Sequence, residues 1–172
     1  MSRAFVKEDD TGPPGQGLPE RPVSDHPNYV TPEGLAALER EAGELQARRL
    51  DLLARGDDAM AAEELPHVDR DLRYYAARLG SAIVVDPSAQ PAGEVAFGAA
   101  VTVKGEGGEQ TFTIVGEDEA DLAALKVSYV SPLAEALMGA HVGDRVTWHR
   151  PAGDLELTVE RIAYDGADPG AG

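Results

Sequence analysis

The stretch TPEGLAALEREAGELQARRLDLLARGDDAMAAEELPHVDRDLRYYAARLGSA, residues 31–82, carries two helical periods of equal length on either side of Gly56-Asp57-Asp58. In the first, Leu35, Leu38, Ala42, Leu45, Arg49 and Leu52 step by three and four, and in the second Leu65, Val68, Leu72, Tyr75, Leu79 and Ala82 do the same. Such spacing makes one apolar stripe per helix and predicts the seam of a two-stranded antiparallel coiled coil. Residues 32–55 and 59–82 match in length, so a turn at 56–58 pairs them end to end, with Gly56 closing the first helix in the left-handed conformation. Each arm would span about 36 Å at about 1.5 Å per residue. Thr31 is the expected N-cap and Pro32 the first helical residue, where a missing N–H costs nothing. Pro66 predicts either a bend in the second arm or a fresh helix start.

The rest of the chain divides around this hairpin. Residues 1–28 contain five prolines and three glycines with few large apolar groups, a composition that predicts a disordered N-terminal tail. The hairpin unit is expected over 29–86, with Val84, Val85 and Asp86 ending the second arm, and a linker over 87–93. From Glu94 the apolar period changes from helical to alternating, which predicts a β-rich module over 94–165 and a flexible tail over 166–172. Strands are expected at Phe97–Lys104, Gln110–Gly116, Leu125–Val130, Arg145–His149 and Leu155–Tyr164, all antiparallel. One short helix is expected to start at Pro132 behind a Ser131 cap and to end at Gly139. The fold class is α+β.

Composition limits what this chain does. Its 172 residues carry a net charge of −16, which disfavours unaided binding to DNA or to an anionic membrane, because both need Lys and Arg to replace released counterions. A basic partner surface suits it better. With no cysteine there is no disulfide, thiolate metal site or cysteine nucleophile. No apolar run approaches the ~20 residues of a membrane span, and Met1 to Asp10 is charged where an export signal needs an apolar stretch, so cytoplasmic residence is expected. His26, His67, His141 and His149 lack metal-ligand spacing, and Ser131 lacks the frame of a nucleophile elbow. The arginines of the first arm, Arg40, Arg48, Arg49 and Arg55, alternate with acids and read either as a solvated, salt-bridged face or as a patch that meets nucleic acid once a partner has delivered it. The one constellation with chemical promise is the acidic tip, where Asp57 and Asp58 precede Glu63 and Glu64. Carboxylates are hard ligands suited to Mg²⁺, although the same acids also solubilise a loop and favour a helix N-terminus.

In this order of parts, and in particular stretches, the chain resembles the GreA/GreB transcript cleavage factors of bacterial RNA polymerase. Val30-Thr31-Pro32-Glu33-Gly34-Leu35-Ala36-Ala37-Leu38 is similar to that family's first arm, and Asp69-Arg70-Asp71-Leu72-Arg73-Tyr74-Tyr75 through Val85-Asp86 to its second. The run Ser131-Pro132-Leu133-Ala134-Glu135-Ala136-Leu137-Met138-Gly139, followed by Val142-Gly143-Asp144 and Pro151-Ala152-Gly153, is the most specific part of the match. Met1 to Asp10 resembles the start of some GreB-like sequences. The resemblance implies an N-terminal antiparallel two-helix coiled-coil hairpin followed by an FKBP-like antiparallel β-sheet domain with one short helix. It also implies a monomeric accessory factor, not an enzyme, with no tightly bound cofactor. RNA polymerase would be the partner, and nascent RNA would be met only within that complex. The implied contact segment includes Ser131, Pro132, Leu133, Ala134, Leu137, Gly143 and Asp144, and the implied metal-assisting pair is Asp57 and Asp58, holding a Mg²⁺ shared with the polymerase.

Two departures from that pattern bear on function. Where the family places Glu and Asn after its tip Asp, this chain has Met60 and Ala61, and each arm is about seven residues shorter, or about 10 Å less reach. The sequence therefore supports a factor that stimulates RNA cleavage through its tip, or one that occupies the same channel without cleaving. An FKBP-like module also raises prolyl isomerisation, but a fold does not carry function, and only Phe97, Phe112, Trp148 and a few tyrosines are available to line such a pocket.

Overall fold

The computed structural model describes residues 17–164; the predicted tail over 166–172 and the first sixteen residues of the predicted N-terminal tail lie outside them. The chain splits into two compact units, one formed by Arg40–Ala77 with the preceding segment up to Val23, the other by Ser24–Glu39 with everything from Arg78 onward.

In the first unit, helix α1 (Pro32–Ala54) and helix α2 (Ala59–Ser81), each 23 residues, run most of their length. Gly56 sits at φ 59° between them, the left-handed conformation that a side chain disfavours. The predicted seam forms around buried Leu52, Ala61 and Val68, with Leu45, Leu65 and Leu72 packed against them. Arg49 makes the polar layer of that seam, its Nε donating to Asp69 Oδ1 at 2.7 Å. Pro66 does not divide the second arm: α2 is continuous through it. The lost backbone hydrogen bond is offset by packing of Leu65 and Val68 and by ion pairs from α1 to residues 64 and 69 on either side.

The second unit contains a five-stranded sheet: β3 (Ala99–Gly105), β4 (Gly108–Val115), β5 (Lys126–Ser128), β6 (Arg145–Trp148) and β7 (Leu155–Tyr164), in the order β5-β4-β3-β7-β6. Alternation puts Val101, Val103, Phe112, Ile114, Leu157 and Val159 into one core with Leu133, Ala134 and Leu137 of helix α3 (Pro132–Leu137). The sheet is mixed, not wholly antiparallel as the sequence led us to expect, because β5 pairs parallel with β4. The chain between them, two 3₁₀ turns over Glu117–Glu119 and Leu122–Ala124, is long enough to return β5 in the same direction. A hairpin needs only a few residues, whereas a parallel neighbour needs a crossover. Opposite β3, β7 carries a bulge at Glu160, where the register shifts between Thr102 and Val103.

A second correction concerns residues 83–86. They do not end the second arm: Ile83–Val84 forms strand β2, paired parallel with strand β1 (Tyr29–Val30). The Ile83 N–H donates to the Asn28 carbonyl at 2.8 Å, and that of Val85 to Val30 at 2.9 Å. The roots of both helices are thus tied by backbone. Thr31 caps α1 as expected, its Oγ1 accepting from the Gly34 N–H at 3.0 Å, and its hydroxyl donates to Glu119 at 2.7 Å. Beneath, Tyr29, Phe97 and Tyr129 make an aromatic triangle with centroids 5.4–5.9 Å apart. A Cβ at Gly116 would collide with the Tyr29 carbonyl oxygen, so that position needs glycine.

Candidate functional site

The tip is a turn with an embedded cap. Asp58 Oδ1 accepts from the Met60 N–H at 2.9 Å, and its carbonyl accepts from the Ala62 N–H at 3.0 Å, so Asp58 is the N-cap of α2. Asp57 is exposed and has no partner among the described residues. The two acids predicted to stand with them part company. Glu63 is exposed, whereas Glu64 takes both Nε and Nη2 of Arg48 at 2.7 and 2.6 Å, a bidentate pair across the hairpin. That hydrogen bond holds the Glu64 carboxyl below the usual glutamate range. Among the described residues no three His, Cys, Asp or Glu side chains gather as a metal-binding group would require. The positions where the resemblance implies a second acid and an amide differ in kind as well as in place. Met60 is 77% exposed, while Ala61 is 2% exposed and part of the seam.

Of the first-arm arginines, Arg48, Arg49 and Arg55 stand in a salt-bridged face. Arg48 also reaches Asp51 at 3.1 Å, Arg55 reaches the same carboxylate at 2.9 Å, and Arg49 takes Asp69. Leu50, Leu53 and Met60 are exposed near the same end. The outer part of the hairpin is therefore largely charge-compensated, with apolar side chains among the pairs.

The 131–144 segment is built as a rigid corner. Ser131 Oγ accepts from the Ala134 N–H at 3.3 Å, capping α3, and Pro132 follows as its exposed first residue. Leu133, Ala134 and Leu137 are 3%, 0% and 0% exposed, so they shape this corner from inside and do not form its surface. Gly143 holds φ 92° and donates to the Val159 carbonyl at 2.7 Å. Asp144 Oδ2 accepts from the His141 N–H at 2.8 Å, closing the turn into β6. The exposed apolar groups of the corner are Met138 and Val142. Neither had been singled out.

Also missed in the sequence is Arg78, the largest fully buried side chain among the described residues, at 2% exposure. Its Nε donates to Asp118 Oδ2 at 2.6 Å, its Nη2 to Asn28 Oδ1 at 2.7 Å, and Asn28 Nδ2 returns a bond to the Arg78 carbonyl at 2.8 Å. Glu117 lies beside it at 3.8 Å. Position 78 stands next to Leu79 of the seam and reads as a surface arginine; only the fold brings Asn28 and Asp118 to it.

The chain has relatives among known proteins. The family described as "Transcription elongation factor, GreA/GreB, C-term" matches residues 90–164. Transcription elongation factor GreB of Neisseria meningitidis serogroup A is 37% identical over 80% of this chain and 94% of its own length. Transcription elongation factor GreA of Chloroflexus aggregans is 32% identical over 81% of this chain and 99% of its own. Among solved structures, the prokaryotic factor GreA/GreB from Nitrosomonas europaea is 25% identical, covering 79% of this chain and 98% of that one with a TM-score of 0.39. Both of these sequence relatives are transcription elongation factors, accessory factors and not enzymes in themselves. On its sequence relatives, the chain belongs to the GreA/GreB family of transcription elongation factors.

Proposed function

We propose that this chain binds RNA polymerase, inserts its hairpin in the secondary channel, and acts there as an occupant whose stimulation of RNA cleavage is weak. One observation carries the weak-cleavage reading: of the acids at the tip, Asp58 is engaged as a helix cap and Glu64 is paired with Arg48, leaving Met60 exposed where the family pattern has an acid. Family membership supports the partner. Docking is assigned to the 131–144 corner, through Pro132, Met138, Val142 and Asp144 on its surface, with Leu133, Ala134 and Leu137 holding its shape. Nascent RNA is met only inside that complex, free DNA is not bound, and the factor works as a cytoplasmic monomer.

A cleavage-stimulating tip is the second reading, favoured by the adjacent exposed carboxyls of Asp57 and Asp58. Mg²⁺ takes octahedral oxygen coordination at about 2.1 Å. The tip donors do not make such a site of this chain's own, because Asp58 is shared with the cap and no third ligand stands near. An ion there would be shared with the polymerase, and Asp57 and Asp58 would be this chain's contribution to it.

Co-elution with core RNA polymerase at low salt tests the partner. The full chain should co-elute and compete with a Gre factor, and Met138→Glu with Val142→Glu should weaken both without unfolding the module, since both side chains face solvent. Failure of the unmodified chain to co-elute or compete removes the proposal.

A further inference from the structure

Residues 18–23, which the composition reads as part of a loose leader, lie against α2 in the first unit. The Arg21 guanidinium sits 3.9 Å above the centre of the Tyr74 ring and 5.3 Å from that of Tyr75, and its Nη1 lies 3.6 Å from Asp71 Oδ1. The two rings meet edge to face at 5.3 Å, so together they form two walls with a carboxylate at one end. One residue earlier, Glu20 receives Nε and Nη2 of Arg73, the shortest contact being 2.6 Å. Two neighbouring side chains of opposite charge thus find opposite charges within one turn of one helix. Pro22 follows at once and restricts the backbone between them and Ser24.

We propose that Tyr74, Tyr75 and Asp71 form a guanidinium-binding notch on the second arm whose resident ligand is Arg21 of the same chain, so that residues 18–23 are a latched strap. The aromatic face suits a planar cation and so favours arginine over lysine, while the Asp71 carboxylate beside it, shared with Arg70, adds charge attraction. The latch has two parts of different character. The Glu20–Arg73 pair is exposed and weakens as salt screens it, whereas stacking of Arg21 on Tyr74 persists. While the strap is down it covers the aromatic pair and steadies the turn of α2 that carries Asp71, Arg73, Tyr74 and Tyr75.

Nuclear magnetic resonance of the full chain tests this directly. Ring currents should displace the Arg21 δ protons from their random-coil positions, and Tyr74→Ala should return them. Glu20→Ala with Arg21→Ala should speed amide exchange over residues 70–77 by about fivefold, the loss of one cation–π contact and two exposed pairs. Arg21→Lys keeps the charge without the plane and should recover only part of that protection. Random-coil Arg21 shifts in the unmodified chain would overturn the proposal, as would unchanged exchange in the double variant. If lysine serves as well as arginine, the site reads charge alone and is not a guanidinium notch.

Discussion

Arg78 donates its Nε to Asp118 at 2.6 Å from a position almost wholly out of water, tying the end of the second helix to the turn that follows β4. A buried guanidinium with its acid removed, or the acids with their guanidinium removed, is left uncompensated at large cost. Arg78→Ala should therefore destabilise the second unit by about 3–5 kcal/mol, measured by urea denaturation followed at Trp148. Asp118→Asn, which keeps an acceptor, should cost less than Arg78→Ala.

The seam at the tip predicts opposite outcomes for two adjacent residues. Met60→Glu places a carboxylate in solvent and should change stability by less than about 0.5 kcal/mol. Ala61→Asn forces an amide into the Leu52–Val68 contact and should destabilise the hairpin by about 1–3 kcal/mol, read as lost helicity on heating. Met60→Glu alone is thus the variant that adds an acid at the tip without disturbing the seam.

Acid should loosen the hairpin in a defined direction. The carboxyl of Glu64 is held below its ordinary value by the Arg48 hydrogen bond, and that of Glu20 by the one to Arg73. A depressed folded-state value means the stabilisation is fully present above the unfolded glutamate value, near about 4.3, and is lost as pH falls through the folded one. Far-UV circular dichroism should show hairpin helicity constant from pH 7 to about 5 and falling below about 4. Glu64→Gln should flatten part of that fall.

The hairpin was legible in the sequence because its signals are local. The three-four spacing, Gly56 and the Thr31-Pro32 start each act within a few residues, and each falls where the periodicity places it. The parallel β5 was not legible, since strand direction depends on the path of the Glu117–Ala124 crossover and not on alternation. Ile83–Val84 was misread for a similar reason: two residues against Tyr29–Val30 make a strand only when residues 54 positions away return alongside. At the tip, the acids could be seen but not their commitments. That Asp58 is a cap and Glu64 a partner of Arg48 is decided by geometry, which engages two of the four acids.

A hairpin that occupies the polymerase channel with Met60 in place of a tip acid should bind and compete while cleaving slowly. A stalled, backtracked elongation complex is mixed with the chain, with Asp57→Ala plus Asp58→Ala, and with a Gre factor of ordinary tip, and RNA lengths are followed with time. We expect the chain to bind and to slow the Gre factor by competition while cleaving far more slowly itself, with the double variant binding as well as the parent and losing whatever cleavage remains. Cleavage by the unmodified chain as fast as by the Gre factor would contradict the account.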